Sequence, residues 1–507
     1  MSKWLLRNHV ALFIGINALL DLALLVTAPM HGAAAGQVLY VGLLFGLCTA
    51  PLLPMESFNG RYSLLLIFMF TYFMHFGGVG AQLILLGQDA GQGPAPELAR
   101  TAFLMPAEVL ILACGVLVLL GYLGVARARR GAAAAPAEWS AGTMLVVGLT
   151  LWTVGTAAEV YLGVFVVPES TTRAVTKGFA NLGSVGTFAL MLGRLMQPLG
   201  LLILSYGYAR FRGSFWTVLV IAIVTAQAAA GFVTDVKTTA LMGVVVVVVT
   251  RLLVDNGPPM TWMVSAVIAV ALAFPVFQAN RMEVTGERGL NHLQALQNIG
   301  RVLQIAVESR DKVNDVRMET RPPTIVERVY IKNNLEQVMD HVGVDVPYLN
   351  GASLKEVAFA FVPRLIIADK QSISMGQLFT HQIAHSDTDT FISISHIGEL
   401  YWNFGWIGTL LGVLVTGVIL GSVGSMSSLE GGPSLTHVMI LLITVQSLCI
   451  GFEGELSISY VTWMRSLAAV GLLHLLFARR TAAGSGSPAP SGLVVPTVAV
   501  RFPNLMR

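Results

Sequence analysis

The sequence predicts an all-α protein that crosses a membrane many times. Of its 507 residues, 55% are hydrophobic and only 12% are charged, which is about half the charged fraction of an average soluble domain. The mean hydropathy of +0.71 agrees with this class. The 31 Lys and Arg nearly balance the 28 Asp and Glu. The composition therefore excludes a soluble enzyme, and the charge is too evenly balanced for a nucleic-acid binder.

A helix that crosses a bilayer needs roughly 20 apolar residues, and windows of that length recur about twelve times along the chain. The first window is longer than the apolar core of a cleaved signal peptide, so it is predicted to be a retained helix. The predicted spans are 10–29, 36–54, 63–87, 102–125, 141–167, 183–209, 215–233, 238–254, 260–278, 400–424, 434–451 and 459–478.

Basic residues collect in every second short loop, and this pattern sets the orientation of the spans. Loops rich in Lys and Arg are expected in the cytoplasm, so the long polar segment between the ninth and tenth spans is expected in the periplasm. The chain then divides into nine spans over 1–278, a large periplasmic loop over 279–399, three spans over 400–480 and a disordered cytoplasmic tail over 481–507. The basic loop residues are Lys3, Arg7, Arg61, Arg127, Arg129, Arg130, Arg210, Arg212, Arg251, Arg479 and Arg480.

The outer segment 279–399 is too long to be a structureless connection, so it is expected to fold. Apolar residues recur at three- and four-residue steps over 290–306 and over 324–342, which predicts two amphipathic helices separated by Pro322-Pro323. A third, short helix is predicted near 353–361. The apolar stripes are expected to pack onto the membrane helices.

Positive side chains mark two places on the outer side where an anion could bind. The turn 231–239 places Lys237 between two apolar helices. The alternative to anion binding is that Lys237 pairs with its neighbour Asp235 at the membrane boundary. In the segment 361–370, Arg364 and Lys370 flank an apolar stretch. Arg presents a planar fork that suits two phosphate oxygens, and Lys supplies a point charge. The pair fits a pyrophosphate, and the alternative is ordinary surface charge.

The densest group of ionisable residues precedes the tenth predicted span. Glu399 lies at the brink of the bilayer beside Gly398 and an aromatic cluster, where the loss of water suits a carboxylate to general-base chemistry. The alternative is a carboxylate that interacts with the dipole of the helix that it begins. His396 lies three residues earlier in the chain.

Histidines and acids just upstream have a spacing that metal sites also use. His381 and His385 are four residues apart, and Asp387 and Asp389 follow them. No helix is signalled there, and alternating Ser, Thr and Asp favours a loop with local side-chain hydrogen bonds. The three cysteines are too scattered for a metal site or a disulfide framework. The sequence therefore predicts no resident metal.

Several short motifs resemble those of the Wzy-type polymerases, which join oligosaccharide repeat units in bacterial O-antigen, capsule and exopolysaccharide pathways. The resemblance is strongest over 228–424. The turn that ends in Lys237 is similar to the family's Gly-x-x-x-Arg/Lys turn, and Arg328 falls where the family often carries an Arg. The motifs that carry the resemblance are Val362-Pro363-Arg364, Ala368-Asp369-Lys370, Ser395-His396-Ile397-Gly398-Glu399-Leu400-Tyr401, Asn403-Phe404-Gly405 and Gly408.

The resemblance implies a metal-independent membrane glycosyltransferase with the GT-C fold, in the bacterial inner membrane, with its site facing the periplasm. Two undecaprenyl-pyrophosphate-linked glycans would meet there. The growing chain would pass to a sugar hydroxyl of a new repeat unit as undecaprenyl pyrophosphate leaves. No cofactor is implied. Besides the glycan substrates and membrane lipid, a chain-length regulator and a flippase are implied as partners.

The resemblance also implies roles for individual residues. Arg364 and Lys237 would bind the pyrophosphate, and Arg364 would stabilise it as a leaving group, with Lys370 and Arg328 in support. Lys in place of Arg at position 237 loses the bidentate geometry. Glu399 or His396 would remove the proton of the acceptor hydroxyl. Side chains at the start of the tenth span would contact the sugar or the lipid, namely Tyr401, Trp402, Asn403 and Trp406.

Two other functions stay open from the sequence. An O-antigen ligase uses the same donor and a similar outer loop but passes the glycan to the lipid A core, and the stretch 396–399 favours the polymerase. A twelve-helix secondary transporter would have two similar halves with its site at the midplane. Here the halves differ and polar residues gather at the outer surface.

Overall fold

The structure is a computed structural model, and it describes most of the predicted membrane helices together with part of the outer segment. Within the described ranges every regular element is a helix, and the single β-bridge, between Val342 and Val346, belongs to no strand. The described residues are 3–31, 33–53, 63–86, 104–128, 139–161, 183–211, 213–233, 237–255, 261, 264–265, 330–358, 374–386, 392–428 and 434–478.

The helices before the outer segment follow the predicted apolar windows. They are α1 (Lys3–His31), α2 (Ala35–Thr49), α3 (Ser63–Phe76), α4 (Gly78–Leu86), α5 (Pro106–Ala128), α6 (Ala141–Tyr161), α7 (Gly183–Phe211), α8 (Ser214–Val233) and α9 (Lys237–Asp255).

The outer segment and the last membrane helices complete the described part of the chain. They are α10 (Lys332–His341), α11 (Lys355–Ala358), α12 (Met375–Gln382), α13 (Ser395–Gly424), α14 (Leu435–Thr444) and α15 (Leu456–Phe477). A π-helical turn over Val445–Cys449 and a 3-10 turn over Ile450–Glu453 continue α14.

Eight helices in the described ranges are long and apolar enough to cross a membrane, which confirms the predicted class of α-helical polytopic membrane protein. The bent pair of α3 and α4, which meet at 60°, would make a ninth crossing. Helices α7 and α9 cover the predicted spans 183–209 and 238–254, and most of the predicted span 260–278 lies outside the described residues. The eight are Val10–Met30, Ala35–Leu52, Pro106–Val125, Ala141–Tyr161, Ser214–Gly231, Ser395–Gly424, Leu435–Glu453 and Leu456–Phe477.

The core consists of two hydrophobic clusters. The first joins α1 to α5 with the outer helices α10 and α12 and with much of α13. The second joins α6 to α9 with α14 and α15. Leu335 and Val338, two residues of the predicted amphipathic stripe, are fully buried on α10 within the first cluster. The expectation that this stripe packs onto the membrane helices is therefore confirmed for its described half.

Glycine allows α5 and α13 to cross at close range. A Cβ atom on Gly121 would lie 2.7 Å from the carbonyl oxygen of Leu414, and one on Gly421 would lie 2.7 Å from that of Tyr122. Side chains at these positions would push the backbones apart. Small residues at a crossing serve this purpose in membrane helices, where close packing stabilises the pair. The crossing fixes α13, which carries most of the candidate site residues.

Candidate active site

The first arm of α13, residues 395–404, is buried and ends at a break in the helix. Gly405 has φ +63° and ψ −157°, a conformation open essentially to glycine alone. At the end of a helical segment the last carbonyls lack intrahelical donors. Here the carbonyls of Trp402 and Asn403 accept hydrogen bonds from the backbone N–H groups of Leu349 and Asn350, at 3.0 and 3.2 Å. The break therefore joins α13 to the outer segment.

The side chain of Asn403 organises the same junction. Its Oδ1 accepts a hydrogen bond from the Gly351 N–H at 2.9 Å. Its Nδ2 donates to Ser353 Oγ and to the Glu399 carbonyl, both at 2.8 Å. Gly351 has φ +85°, which the tight turn requires and which glycine adopts without strain. The amide of Asn403 thus makes three hydrogen bonds, and two of them hold the loop against α13.

Glu399 is fully buried and accepts a hydrogen bond at each carboxylate oxygen. Ser353 Oγ donates to Oε1 at 2.7 Å, and the Ser457 N–H donates to Oε2 at 3.3 Å. Ser457 lies in the first turn of α15, where free N–H groups and the helix dipole favour negative charge. Glu399 therefore interacts with the start of a different helix from its own, and it links the outer segment, α13 and α15.

Glu455 is the residue that precedes α15, and its carboxylate reaches the outer segment. Its Oε1 accepts hydrogen bonds from the Gly376 N–H at 3.0 Å and from Ser374 Oγ at 3.4 Å, at the start of α12. Its Oε2 is buried and has no hydrogen-bond partner among the described residues. Burial raises the pKa of Glu455 to about 7, and the neighbouring carboxylate of Glu399 acts in the same direction. From the sequence, the turn 452–456 supplies two carboxylates, and a structural pair of Glu453 or Glu455 with Arg465 is the interpretation that it favours.

His396 lies in an aromatic environment on the same arm of α13. Its ring centre is 4.8 Å from that of Phe452 and 6.3 Å from that of Tyr460. Neither ring nitrogen has a hydrogen-bond partner among the described residues. Nearby, His75 Nδ1 lies 4.0 Å from Glu453 Oε2. Two histidines and three carboxylates thus lie around the junction of α3, α13 and α15.

The four residues predicted to contact sugar or lipid differ in exposure. Trp402 and Asn403 are completely buried, and Tyr401 is 6% exposed, whereas Trp406 is 38% exposed beyond the break at Gly405. Trp406 is therefore the member of this set best placed to meet a ligand. Trp402 packs in the core and Asn403 holds the loop, so their predicted ligand contacts stay a prediction that the observed packing does not favour.

The predicted pyrophosphate-binding cations fall largely outside the described residues. Arg364, Lys370 and Arg328 lie in undescribed stretches, and Lys237 begins α9 with a side chain that is not described. Arg364 and Lys370 belong to 359–373. The flanks of that stretch are bonded to the two buried acids, through Ser353 on one side and through Ser374 and Gly376 on the other.

A buried ion pair that sequence reasoning missed ties the outer segment to the bundle. Lys332, the first residue of α10, donates to Glu108 in the first turn of α5, and both side chains are essentially unexposed. Glu108 also accepts from Gln37 Nε2 at 2.8 Å. The Lys332 ammonium lies 4.8 Å from the Tyr40 ring centre and 3.4 Å from Glu336 Oε1. One signal was present, because Glu108 is an acid within a predicted span.

The histidines considered for a metal site make other contacts. His381 Nδ1 lies 3.0 Å from the Ser386 carbonyl oxygen, and the His385 ring lies 6.2 Å from that of His341. Among the described residues, no group of three or more His, Cys, Asp or Glu could hold a metal ion. Asp387 and Asp389 lie outside those residues.

The buried acids, with Gln37 and His75, lie near helix ends that contact or adjoin the outer segment. Gln37 lies near the start of α2, Glu108 near the start of α5, and Glu399 near the start of α13. Glu455 precedes α15, and His75 is close to the end of α3. The outer helices α10 and α12 contact these helix ends through Lys332 and through Gly376.

Comparison with protein-family models, with curated proteins and with solved structures finds no match to the chain.

Proposed function

We propose that the protein is a bacterial inner-membrane polymerase that joins polyprenyl-pyrophosphate-linked oligosaccharide repeat units on the periplasmic face. In this proposal the chain has about twelve spans in a GT-C-like arrangement. The donor glycan leaves its polyprenyl pyrophosphate and is joined to a hydroxyl of the acceptor repeat unit. The motif resemblance supplies the reaction class, and the arrangement of charged groups supplies its physical support.

One observation carries the proposal. The described residues on either side of the segment that contains Arg364 and Lys370 are bonded to Glu399 and Glu455, and the proposal assigns anion binding to the two cations of that segment and proton transfer to the acids. Glycosyl transfer from a pyrophosphate donor needs both functions at once. Negative charge develops on the leaving group, where fixed cations stabilise it, and the acceptor hydroxyl must lose a proton.

The location of the acids at the ends of the helices also supports this function over transport. A secondary transporter binds its cargo near the middle of the membrane. Here Glu399, Glu455 and Glu108 lie at helix starts and contact the outer segment. A reaction between two lipid-anchored glycans would take place at the membrane surface, where their headgroups lie.

The test is polymerisation by the purified protein in lipid nanodiscs. The substrate is lipid-linked repeat unit isolated from a strain that lacks the protein, and mass spectrometry measures glycan length together with released polyprenyl pyrophosphate. We expect longer glycans and one released carrier lipid per bond formed. Arg364→Lys should lower turnover by about 10²-fold or more, because it removes a bidentate contact to the leaving group.

Arg210→Lys serves as the matched control, because Arg210 is exposed in the last turn of α7 and should tolerate the same change. Glycan transfer to added lipid A core without chain growth would instead identify a ligase. Passage of solute or glycan across the bilayer without any new glycosidic bond would identify a transporter. Either result would overturn the polymerase proposal.

A further inference from the structure

Helix α13 is longer than a bilayer requires, and its apolar side chains reach the surface only from Phe404 onward. The helix has 30 residues, so it is about 45 Å long, against a hydrocarbon core of about 30 Å. Residues 395–403 are buried throughout. The second arm, residues 406–424, is about 28 Å long and carries a row of exposed apolar side chains, namely Ile407, Leu411, Val415 and Val418. The break at Gly405 therefore marks the level at which lipid contact begins.

Helix α5 gives the same level independently. A Cβ atom on Gly417 would lie 2.5 Å from the Val118 carbonyl oxygen, and one on Gly421 would lie 2.7 Å from that of Tyr122, so α5 and α13 run parallel and side by side. The break lies twelve residues before Gly417, and Pro106 lies twelve residues before Val118. Because both helices rise equally per residue, α5 begins level with the break. Its apolar span also starts at Pro106.

A turn of the outer segment, residues 343–346, packs beside this level. The Tyr348 hydroxyl lies next to the break, since a Cβ atom on Gly405 would be 3.4 Å from it. The same hydroxyl lies next to the turn, since a Cβ atom on Gly343 would be 2.8 Å from it. The backbone hydrogen bonds between the following loop and the end of the first arm of α13 hold this arrangement. The turn therefore lies close to the level at which lipid contact begins.

The backbone of this turn suits a place where water is scarce. Every N–H group from residue 343 to residue 346 has an acceptor within or next to the turn, and for three of them the acceptor is the His341 carbonyl oxygen. Val342 and Val346 are buried in the core, whereas Val344 at the tip is 83% exposed. Backbone groups that are satisfied internally can lie against lipid without an unpaired donor. The turn thus presents one apolar side chain on a backbone that needs no water.

The side chains around Val344 limit how deep the turn can lie. Asp345 pairs with His341 at 2.9 Å, and both side chains keep exposed surface. Charged groups are costly to move into hydrocarbon, so this pair belongs among headgroups or in water. Tyr348 and Trp406 are 39% and 38% exposed. Tyr and Trp are enriched at the membrane interface, where the ring meets acyl chains and the polar atom meets water.

We propose that the turn 343–346 rests in the bilayer interface on the side of the outer segment, with Val344 inserted at the headgroup level and Tyr348 and Trp406 beside it. The partner of this surface is bilayer lipid, because the surface continues the exposed row of α13 at the end where that row meets the interface. A single exposed valine is ordinary on a protein surface, so the inference depends on the level of Val344 beside the break. It is independent of the reaction proposed above.

The test measures depth by fluorescence quenching in the full-length protein, reconstituted into phosphatidylcholine nanodiscs. A bimane label is attached to Val344→Cys, to Leu411→Cys on the exposed row of α13, and to Lys355→Cys, an exposed position of the outer segment. The three native cysteines are buried, and the protein without an introduced cysteine measures their background. The quenchers are phosphatidylcholine with a nitroxide on its headgroup, phosphatidylcholine with a nitroxide near the end of an acyl chain, and iodide in water.

We expect the headgroup nitroxide to quench the Val344 label at least about threefold more strongly than the Lys355 label, because interfacial elements lie at the boundary of headgroups and acyl chains. The Leu411 label should respond most to the chain-end nitroxide, and the Lys355 label most to iodide. Iodide quenching at Val344 equal to that at Lys355 would place the turn in water and overturn the proposal. A Val344 label that no quencher reaches would overturn it as well, because protein would then cover the turn. Strongest quenching by the chain-end nitroxide would place Val344 in the hydrocarbon and contradict the interfacial position.

Discussion

The carboxylate of Glu108 and those of Glu399 and Glu455 are buried at the same end of the bundle, but they are compensated differently. Glu108 is paired with the ammonium of Lys332 and also accepts from Gln37. Glu399 and Glu455 accept only from serine hydroxyls and backbone N–H groups of the described residues. Both regions fasten the outer segment to the membrane helices, but among the described residues only the first contains its own neutralising charge.

This difference separates a structural role from a chemical one. An ion pair with further hydrogen bonds is costly to break once it is buried. An acid that has only neutral donors keeps a high affinity for a proton, as the raised pKa of Glu455 indicates. We therefore expect substitutions at the first region to change stability alone, and substitutions at the second to change stability, proton affinity and turnover together.

The largest effect should come from removing the cation of the first region. Lys332→Met leaves the Glu108 carboxylate buried without its counter-ion, which should lower the free energy of unfolding by about 3–5 kcal/mol. Chemical unfolding in detergent measures this cost. The double variant Lys332→Met, Glu108→Gln should recover most of the loss, because no charge then stays buried.

Lys355→Met is the control for this prediction. Lys355 is an exposed lysine at the start of α11, so its replacement should change stability by less than about 0.5 kcal/mol. Wild-type stability in Lys332→Met would contradict the structural role of the ion pair. Failure of the double variant to recover would show that Lys332 acts through contacts other than Glu108, such as the Tyr40 ring.

The next effect concerns the pH dependence of stability. The pKa of Glu455 is raised from an ordinary value of 4.5 to about 7, so the folded state binds its proton more tightly than the unfolded state does. Its contribution is therefore full below pH 4.5 and is lost as pH rises through 7, by about 3 kcal/mol in all. Melting temperature measured from pH 4.5 to 8 should fall with rising pH in the wild type.

Glu455→Gln should remove that part of the slope. Burial also raises the pKa of Glu336, but Glu336 contributes equally to both proteins, so the difference between the two curves reports Glu455 together with its interaction with Glu399. Parallel curves for the wild type and Glu455→Gln would mean that Glu455 titrates near its ordinary value. That result would remove the distinction between the two acidic regions.

The sequence was sufficient for features that depend on local pattern. Hydropathy located the helices that can cross a membrane, and the three- and four-residue steps at Leu335 and Val338 predicted the face of α10 that packs on the bundle. It also placed Glu399 at the membrane boundary, although the predicted span begins at residue 400 and α13 begins at Ser395. These features depend on residues within a few turns of one another, where the helical period alone decides which side chains share a face.

The parts that sequence reasoning missed depend on pairing between distant residues. Lys332 looks like a polar-face residue of a surface helix, and only its meeting with Glu108, 224 residues away, makes it a buried cation. Glu455 is separated by 79 residues from Gly376, its hydrogen-bond donor. The break at Gly405 was equally hidden, because apolar residues continue on both sides of it. No local period encodes such contacts.

The smallest of these effects should come from Gly405, which shapes the second region without carrying charge. Gly405→Ala places a side chain at φ +63° and ψ −157°, which should cost about 1–3 kcal/mol in stability. A Cβ atom there would lie 3.4 Å from the Tyr348 hydroxyl, an ordinary contact, so the cost is one of backbone strain. If the break relaxes, the carbonyls of Trp402 and Asn403 turn away from Leu349 and Asn350, and Ser353 loses its alignment with Glu399. Turnover should then fall while the Glu108 pair stays intact.

Gly471→Ala on α15 is the matched control, because its Cβ would meet open space and alanine favours a helix. We would measure the free energy of unfolding in detergent and the polymerisation rate of both variants. If Gly405→Ala and Gly471→Ala gave the same stability and the same rate, the break would not hold the acidic region in place.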